Sequence, residues 1–300
     1  MKRLIFGCGY LGERVAERWA SAGDEVTVIT RSAQRAAAFK SSGYVTLVAD
    51  VTNPDSLATL PTVDTVLFAV GYDRSADPSI HQVYAEGMKN VLAVLPPETG
   101  RLLYISTTGV YGSATGVCGS ATGSEGGTEG GWVDEQTETA PHRDGGRASL
   151  AAEEALRQSP FADRGVALRL AGIYGPGRVP FLDKLTAGES IPAPQQGNLN
   201  LIHVLDAAEI VIAASKYEQR LPPVMCVSDG NPPMRGDYYR EIARLIGASE
   251  PQFVDPPADS PTAARAAANK KVRNDLMLQT LGISLRYPNY RTGLAAILGL

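Results

Sequence analysis

No stretch of this 300-residue chain approaches the roughly 18 uninterrupted apolar residues that a membrane-crossing helix requires. Its start, MKRLIFGCGYLG, turns to glycine after a short apolar run, which reads as a cytoplasmic protein without a signal peptide. Cysteine is scarce. Cys8, Cys118 and Cys226 are odd in number and widely spaced with no Cys-x-x-Cys pair, so neither a disulfide framework nor a thiolate metal site is expected. His81, His142 and His203 share no i, i+4 spacing with one another or with an acidic partner, which argues against a metal enzyme. There is no excess of one charge either: 28 basic residues against 32 acidic ones leave −4, too balanced for a nucleic-acid binder. With 44% apolar and 20% charged residues, a disordered acidic chain is excluded as well.

What is present is a series of short, β-branched apolar runs of the kind that form buried parallel strands: 3–6, 25–30, 44–49, 64–70, 101–106 and 166–170. Helical stretches fall between them at 11–22, 33–40, 54–60, 78–95 and 146–158, in crossover positions. This alternation predicts an α/β fold, a doubly wound parallel Rossmann sheet. Only five of the 20 prolines precede residue 141, and eight crowd into 222–261, where neither long helices nor central strands are expected. The division expected is a dinucleotide-binding domain over 1–170 and a smaller α+β substrate domain over 171–300, with the chain free to cross between them. Gly109 to Gly131 holds nine glycines in 23 residues and reads as a mobile surface loop.

Gly7-Cys8-Gly9-Tyr10-Leu11-Gly12 fits G-x-G-x-x-G between the first strand and the first helix, the context in which that motif marks a dinucleotide site. Gly7 allows the tight turn, Gly9 lets backbone approach a pyrophosphate, and Gly12 lets the helix pack on the strand, whose N-terminus then faces the negative charge. Cys8 is expected to be a small filler. At the end of the second strand, where an NAD binder carries an acid for the ribose 2′-hydroxyl, stands Arg31. With Ser32 and Arg35 it offers a guanidinium fork, a hydroxyl and a second cation, which suits a 2′-phosphate. NADP(H) is therefore the expected cofactor and NAD(H) the alternative. Asp50-Val51 after the third strand would place a carboxylate near the adenine amino group, and Ala69-Val70-Gly71 a small-residue turn over the ribose.

In this order, GCGYLG at 7–12, Asp50-Val51, YISTTGVYG at 104–112, LRLAGIYGPGR at 168–178 and LIHVLDAAEIV at 201–211 resemble the extended short-chain dehydrogenase/reductase family, also called the NAD-dependent epimerase/dehydratase family. The resemblance covers nearly the whole chain. It implies an oxidoreductase in which the hydroxyl of Thr107, four residues before Tyr111, assists a substrate carbonyl beside the cofactor. It also implies that Tyr174, Arg178 and His203 shape the substrate site. Lys271 and Arg273 resemble a position near the substrate phosphate in sugar-nucleotide enzymes of the family. The implied substrate is a small molecule, anionic or sugar-nucleotide-like, and the implied assembly is a homodimer paired through helices such as 78–95 and 146–158.

The family's Tyr-x-x-x-Lys pair, in which the tyrosine moves the proton and the lysine lowers its pKa, has no counterpart here. Gly145 and Ser149 stand at the aligned positions. No alignment shift restores the pair, because there is no tyrosine between Tyr111 and Tyr174 and no lysine between Lys89 and Lys184. The pattern resembles an atypical branch that keeps the glycine motif without this pair. Arg147 or Arg143 would supply a cation for cofactor hydroxyls but not a base. Candidates for the proton are Tyr111, Asp134, Glu135, Asp144 and a water held by Thr107, each with a plainer reading as wall, loop surface or helix cap. The tail 262–300 carries six basic residues against one acid, which reads as a solvated face or as attraction to an anion. Trp132 and Tyr72 are candidate lids or packing residues. Three functions are thus weighed: an NADP(H)-dependent oxidoreductase on a carbonyl or alcohol, a non-catalytic NADP(H) sensor or docking module, and a sugar-nucleotide epimerase proper, which needs the same missing tyrosine.

Overall fold

The computed structural model describes residues 1–112, 130–258, 260, 262–263 and 269–299. The glycine-rich stretch read as a mobile loop lies, over 113–129, outside the described residues. In chain order the first elements are β1 (Lys2–Phe6), α1 (Gly12–Ser21), β2 (Glu25–Thr30), α2 (Ala33–Ser41), β3 (Val45–Val48), β4 (Thr65–Phe68), α3 (Gly87–Val94) and β5 (Arg101–Thr107). Then follow β6 (Gly131–Val133), α4 (Asp144–Arg157), β7 (Gly165–Leu170), β8 (Gly172–Tyr174), α5 (Leu182–Thr186), β9 (Ile191–Pro192), β10 (Leu201–His203) and α6 (Val204–Lys216). The last labelled elements are β11 (Val224–Val227), α7 (Arg235–Leu245), β12 (Phe253–Val254) and β13 (Lys270–Val272), and two helices, Asp275–Leu281 and Tyr290–Leu298, end the chain.

Seven strands form one parallel sheet in the order β11-β7-β5-β4-β1-β2-β3. β1 lies inside it, paired in parallel with β2 and β4, and the strand order reverses there, which makes the carboxyl end of β1 the crevice where ligands bind in such sheets. All six strands read from the sequence are in this sheet. The seventh, Val224–Val227, was not read, because four apolar residues between Pro222-Pro223 and Pro232-Pro233 carry too short a pattern. The stretch 54–60, expected as a helix, is only a 3-10 turn over Pro54–Leu57 opened by the side chain of Asn53, and 78–95 begins with a π-helical turn at Gln82–Glu86 before α3.

The chain divides into two compact units, one of residues 1–110, 144–169 and 207–225, the other of 111–143, 170–206 and 226–300. In the first, Leu4, Phe6, Val66, Phe68, Leu102 and Tyr104 of the sheet pack with Met88 and Val91 of α3 and Ala152 and Leu156 of α4. α1 buries Val15, Ala16 and Trp19, and the indole N–H of Trp19 donates to Ser215 Oγ on α6 at 3.2 Å. In the second, Tyr174, Leu185, Ile191, Tyr238, Ile242 and Leu294 form a separate core. Gly293 is needed there, since a Cβ on it would stand 2.0 Å from the Tyr174 hydroxyl.

Candidate functional site: a dinucleotide cradle and its neighbourhood

The three glycines after β1 have three different environments, which match three different tasks. Gly7 has φ +85°, and a Cβ on it would lie 2.4 Å from the carbonyl oxygen of Ala69, so the turn closes against the end of β4 only without a side chain. A Cβ on Gly12 would lie 2.5 Å from the Gly7 carbonyl oxygen, so α1 begins pressed onto the turn. A Cβ on Gly9 would meet nothing within 4 Å. The one glycine not required by packing therefore faces open space beside the N-terminus of α1, whose positive dipole end it adjoins. Its own N–H donates to the Gly7 carbonyl at 2.9 Å and its carbonyl accepts from the Glu13 N–H at 2.8 Å. These residues fit a pyrophosphate on steric grounds alone.

Around the turn, Cys8 and Leu11 are buried. Burial, helped by nearby Glu13, pushes the Cys8 thiol up to about 12, so it stays protonated and serves as filler. Tyr10 is half-buried with the Arg14 guanidinium 4.2 Å from its ring centroid. Arg35 reaches back from α2 and donates to the Cys8 carbonyl oxygen at 2.6 Å and to Glu13 at 3.1 Å. Arg35 thus ties α2 to the glycine turn. Ser32 caps α2, its Oγ accepting from the Arg35 N–H at 3.2 Å. Arg31, half-exposed, has its Nη2 4.0 Å from Asp73 Oδ2. Asp50 Oδ1 accepts from the Thr52 backbone N–H and hydroxyl, each at 2.8 Å, and Val51 is buried with its carbonyl held by Asn90 at 2.8 Å. Ala69 and Val70 are half-buried and Gly71 is exposed.

At the end of β5, Thr107 Oγ1 accepts from the Gly109 N–H at 3.0 Å. That leaves the hydroxyl hydrogen to be donated elsewhere. Gly145 and Ser149, the residues the sequence resemblance aligns with the family's tyrosine and lysine, lie on α4, the latter only 2% exposed. One turn on, Glu153 is buried and makes an ion pair with Arg169 of β7 at 2.7 Å, and it also accepts from the Ser106 hydroxyl of β5. This triad was missed in the sequence. The signal for it was Arg169, a guanidinium inside the apolar strand GVALRL, which has to find a carboxylate when buried. Arg147 is exposed and 3.5 Å from Asp144.

The second unit holds the remaining residues singled out above. Tyr111 is buried with its hydroxyl 3.0 Å from Cys226 Sγ. Glu135 accepts from the Cys226 N–H at 2.6 Å, and Asp134 from the Gln136 N–H at 3.0 Å and the Thr137 hydroxyl at 3.0 Å. Asp134 thus holds its own turn, and Glu135 holds the backbone of Cys226. Tyr174 and His203 are buried side by side, the His203 ring 5.3 Å from Tyr174 and 3.9 Å from Tyr287, and Asp206 holds the backbone N–H groups of Arg286 and Tyr287 at 2.9 Å each. Arg178 is exposed, its backbone N–H closing the turn onto Gly175 at 2.9 Å. Arg273 and Lys271 flank the half-exposed ring of Trp132, at 5.2 and 6.0 Å from its centroid. Their neighbour Lys270 is instead buried and donates to the Gly112 carbonyl at 2.7 Å; burial, with Arg143 nearby, pushes its amine down to about 8. Among the described residues no group of three or more metal-ligating side chains occurs, and no helix is long and apolar enough to cross a membrane.

Comparison with known proteins places this geometry in context. The chain is 27% identical over 300 residues to Protein YeeZ of Escherichia coli strain K12, covering 96% of this chain and 97% of that protein. Among solved structures, a functionally unknown conserved protein from Silicibacter pomeroyi DSS is 30% identical with a TM-score of 0.75, over 99% of this chain and 97% of that one. The Bordetella bronchiseptica enzyme WbmG in complex with NAD and UDP is 21% identical with a TM-score of 0.76, over 99% and 94% of the two chains, and shares the fold. The model of the NAD-dependent epimerase/dehydratase family matches residues 4–225, through the glycine turn, β5, α4 and β7 alike. The chain belongs to the NAD-dependent epimerase/dehydratase family.

Proposed function

We propose that this protein binds NADP(H) in the glycine cradle, with NAD(H) as a second cofactor, and acts as an oxidoreductase on a carbonyl or alcohol group of a small substrate. The single observation that carries the reading is the set of three glycines, of which Gly7 and Gly12 are demanded by packing while Gly9 opens onto space. The open backbone at Gly9 and the N-terminus of α1 would hold the pyrophosphate. Arg31 and Ser32 would take the 2′-phosphate, Asp50 the adenine amino group, and the turn Ala69-Val70-Gly71 the ribose. The bound nicotinamide supplies or accepts the hydride. Thr107, whose Oγ1 already accepts from Gly109, would donate its hydroxyl hydrogen to the substrate oxygen. The Tyr111 hydroxyl faces Cys226 and is assigned to the wall, so the proton is assigned to a water held by Thr107. Arg147, exposed on α4, would steady cofactor hydroxyls, and exposed Arg178 would meet an anionic or sugar-nucleotide-like substrate. Tyr174 and His203 would support the Arg178 turn. The proposed setting is the cytoplasm and the proposed assembly a homodimer.

One observation favours a second reading, a non-catalytic NADP(H) sensor: the chain has no tyrosine from 112 to 173 and no lysine from 90 to 183. The two readings part in one experiment, in which the purified protein is given NADPH or NADP⁺ with a panel of aldehydes, ketones, alcohols and sugar nucleotides while nicotinamide absorbance is followed. Turnover that falls when Thr107 is replaced by Val supports the oxidoreductase. Saturable binding with a flat absorbance trace across the panel supports the sensor.

A further inference from the structure

Two side chains of opposite charge meet across the glycine turn. β1 lies between β4 and β2 in the sheet, so the connections leaving the carboxyl ends of β2 and β4 flank the turn that follows β1. Arg31 is the first residue after β2, and Asp73 stands in the connection after β4, whose last residue is Phe68. Arg31 Nη2 and Asp73 Oδ2 are 4.0 Å apart, with the two side chains 48% and 52% exposed. Asp73 is held by its own turn: Oδ1 accepts from the Ser75 N–H at 2.9 Å and from the Ser75 hydroxyl at 2.6 Å, which leaves Oδ2 to the arginine. Those hydrogen bonds from Ser75 hold the carboxyl below the usual carboxylate range, with a smaller contribution from Arg31, so it is ionised at neutral pH.

We infer that Asp73 is a specificity-determining residue for the adenosine end of the dinucleotide, competing with a 2′-phosphate for Arg31 and offering an acceptor to a free 2′-hydroxyl. The inference rests on the reading of the glycine turn as a dinucleotide cradle. An NAD binder carries its acid at the end of β2. This chain carries Arg31 there and brings a carboxylate in from the opposite bank. A guanidinium standing alone favours phosphate through paired charged hydrogen bonds. With Asp73 beside it, a phosphate has to displace one carboxylate and then rest near its charge, whereas a ribose hydroxyl donates to that carboxylate directly. A long, half-exposed pair contributes little by itself and gives way to a ligand. The consequence is a chain that takes both cofactors with a modest preference.

The test titrates wild type, Asp73→Asn, Asp73→Ala and Arg31→Ala with NADPH and with NADH, following nicotinamide fluorescence, with thermal melts to confirm folding. Asparagine keeps the turn, because its amide oxygen accepts from the Ser75 N–H as the carboxylate does. Asp73→Asn and Asp73→Ala are each expected to tighten NADPH and weaken NADH, moving the ratio of the two dissociation constants about three- to fivefold, the size of a half-exposed charge contact. Arg31→Ala is expected to move the ratio the other way. Binding of both cofactors to wild type with a ratio unchanged in both Asp73 variants overturns the inference alone. Binding of neither cofactor to wild type overturns the cradle reading and the inference with it.

Discussion

The turn between β1 and α1 and the buried face of α4 serve the same unit, and the chain has treated them in opposite ways. In the turn, every steric demand of a dinucleotide cradle is met, with two glycines forced by packing and one left open. Along α4, Gly145 and buried Ser149, which the sequence resemblance aligns with a phenol and an ammonium, carry a hydrogen and a small hydroxyl, and the next position on that face holds a buried ion pair. That face of α4 packs, joining β5 and β7 through Ser106, Glu153 and Arg169.

A large effect that sharpens this contrast is expected at Glu153. Glu153→Ala leaves the Arg169 guanidinium buried without its carboxylate and should lower unfolding free energy by about 3–5 kcal/mol, read from urea denaturation. A loss well under 1 kcal/mol would mean that the face is not the structural element described. Next comes an attempt to reinstall the missing cation. Ser149→Lys buries an ammonium beside a carboxylate already committed to Arg169, and should cost about 2 kcal/mol by the same measurement.

In the turn, the contrast between neighbouring glycines is itself a test. Gly9→Val should keep the wild-type melting temperature within about 2 °C and weaken NADPH binding about tenfold or more, whereas Gly7→Val should fail in folding, because it forces a branched side chain into a positive-φ site against Ala69. Equal stability losses in the two variants would erase the distinction between packing and ligand glycines. The smallest of these effects is expected at Arg31. Arg31→Asp should shift preference from NADPH towards NADH by about tenfold in the ratio of dissociation constants, and an unmoved ratio would contradict the assignment of the 2′-phosphate to that residue.

The sequence made the cradle legible because its rules are local: spacing of glycines between a β-branched run and an amphipathic helix is a steric statement within a dozen residues. Six strands were legible for the same reason. The strand Val224–Val227 was not, since it owes its form to pairing at the sheet edge and lies in a proline-rich stretch. Pairings over long separations were out of reach too. Tyr111 meets Cys226 and Lys270 meets Gly112 more than a hundred residues away, so neither the partner of that phenol nor the burial of Lys270 beside half-buried Lys271 had a sequence signature. Arg35 is read from the sequence as a second cation for the 2′-phosphate, and the contacts of its Nη2 with the Cys8 carbonyl and Glu13, which tie α2 to the turn, had no such local signal. Asp73 carries no local signal, because its partner Arg31 lies on another strand's connection.

The central claim is that this chain keeps a working dinucleotide cradle although the Tyr-x-x-x-Lys pair is absent. The most direct measurement is a fluorescence titration of the purified protein with NADPH, run beside Gly9→Val. Saturable binding by the wild type, lost in a Gly9→Val protein that melts at the same temperature, is the predicted result. A wild-type protein that leaves NADPH fluorescence unchanged, or a Gly9→Val variant that binds as well as wild type, would contradict it.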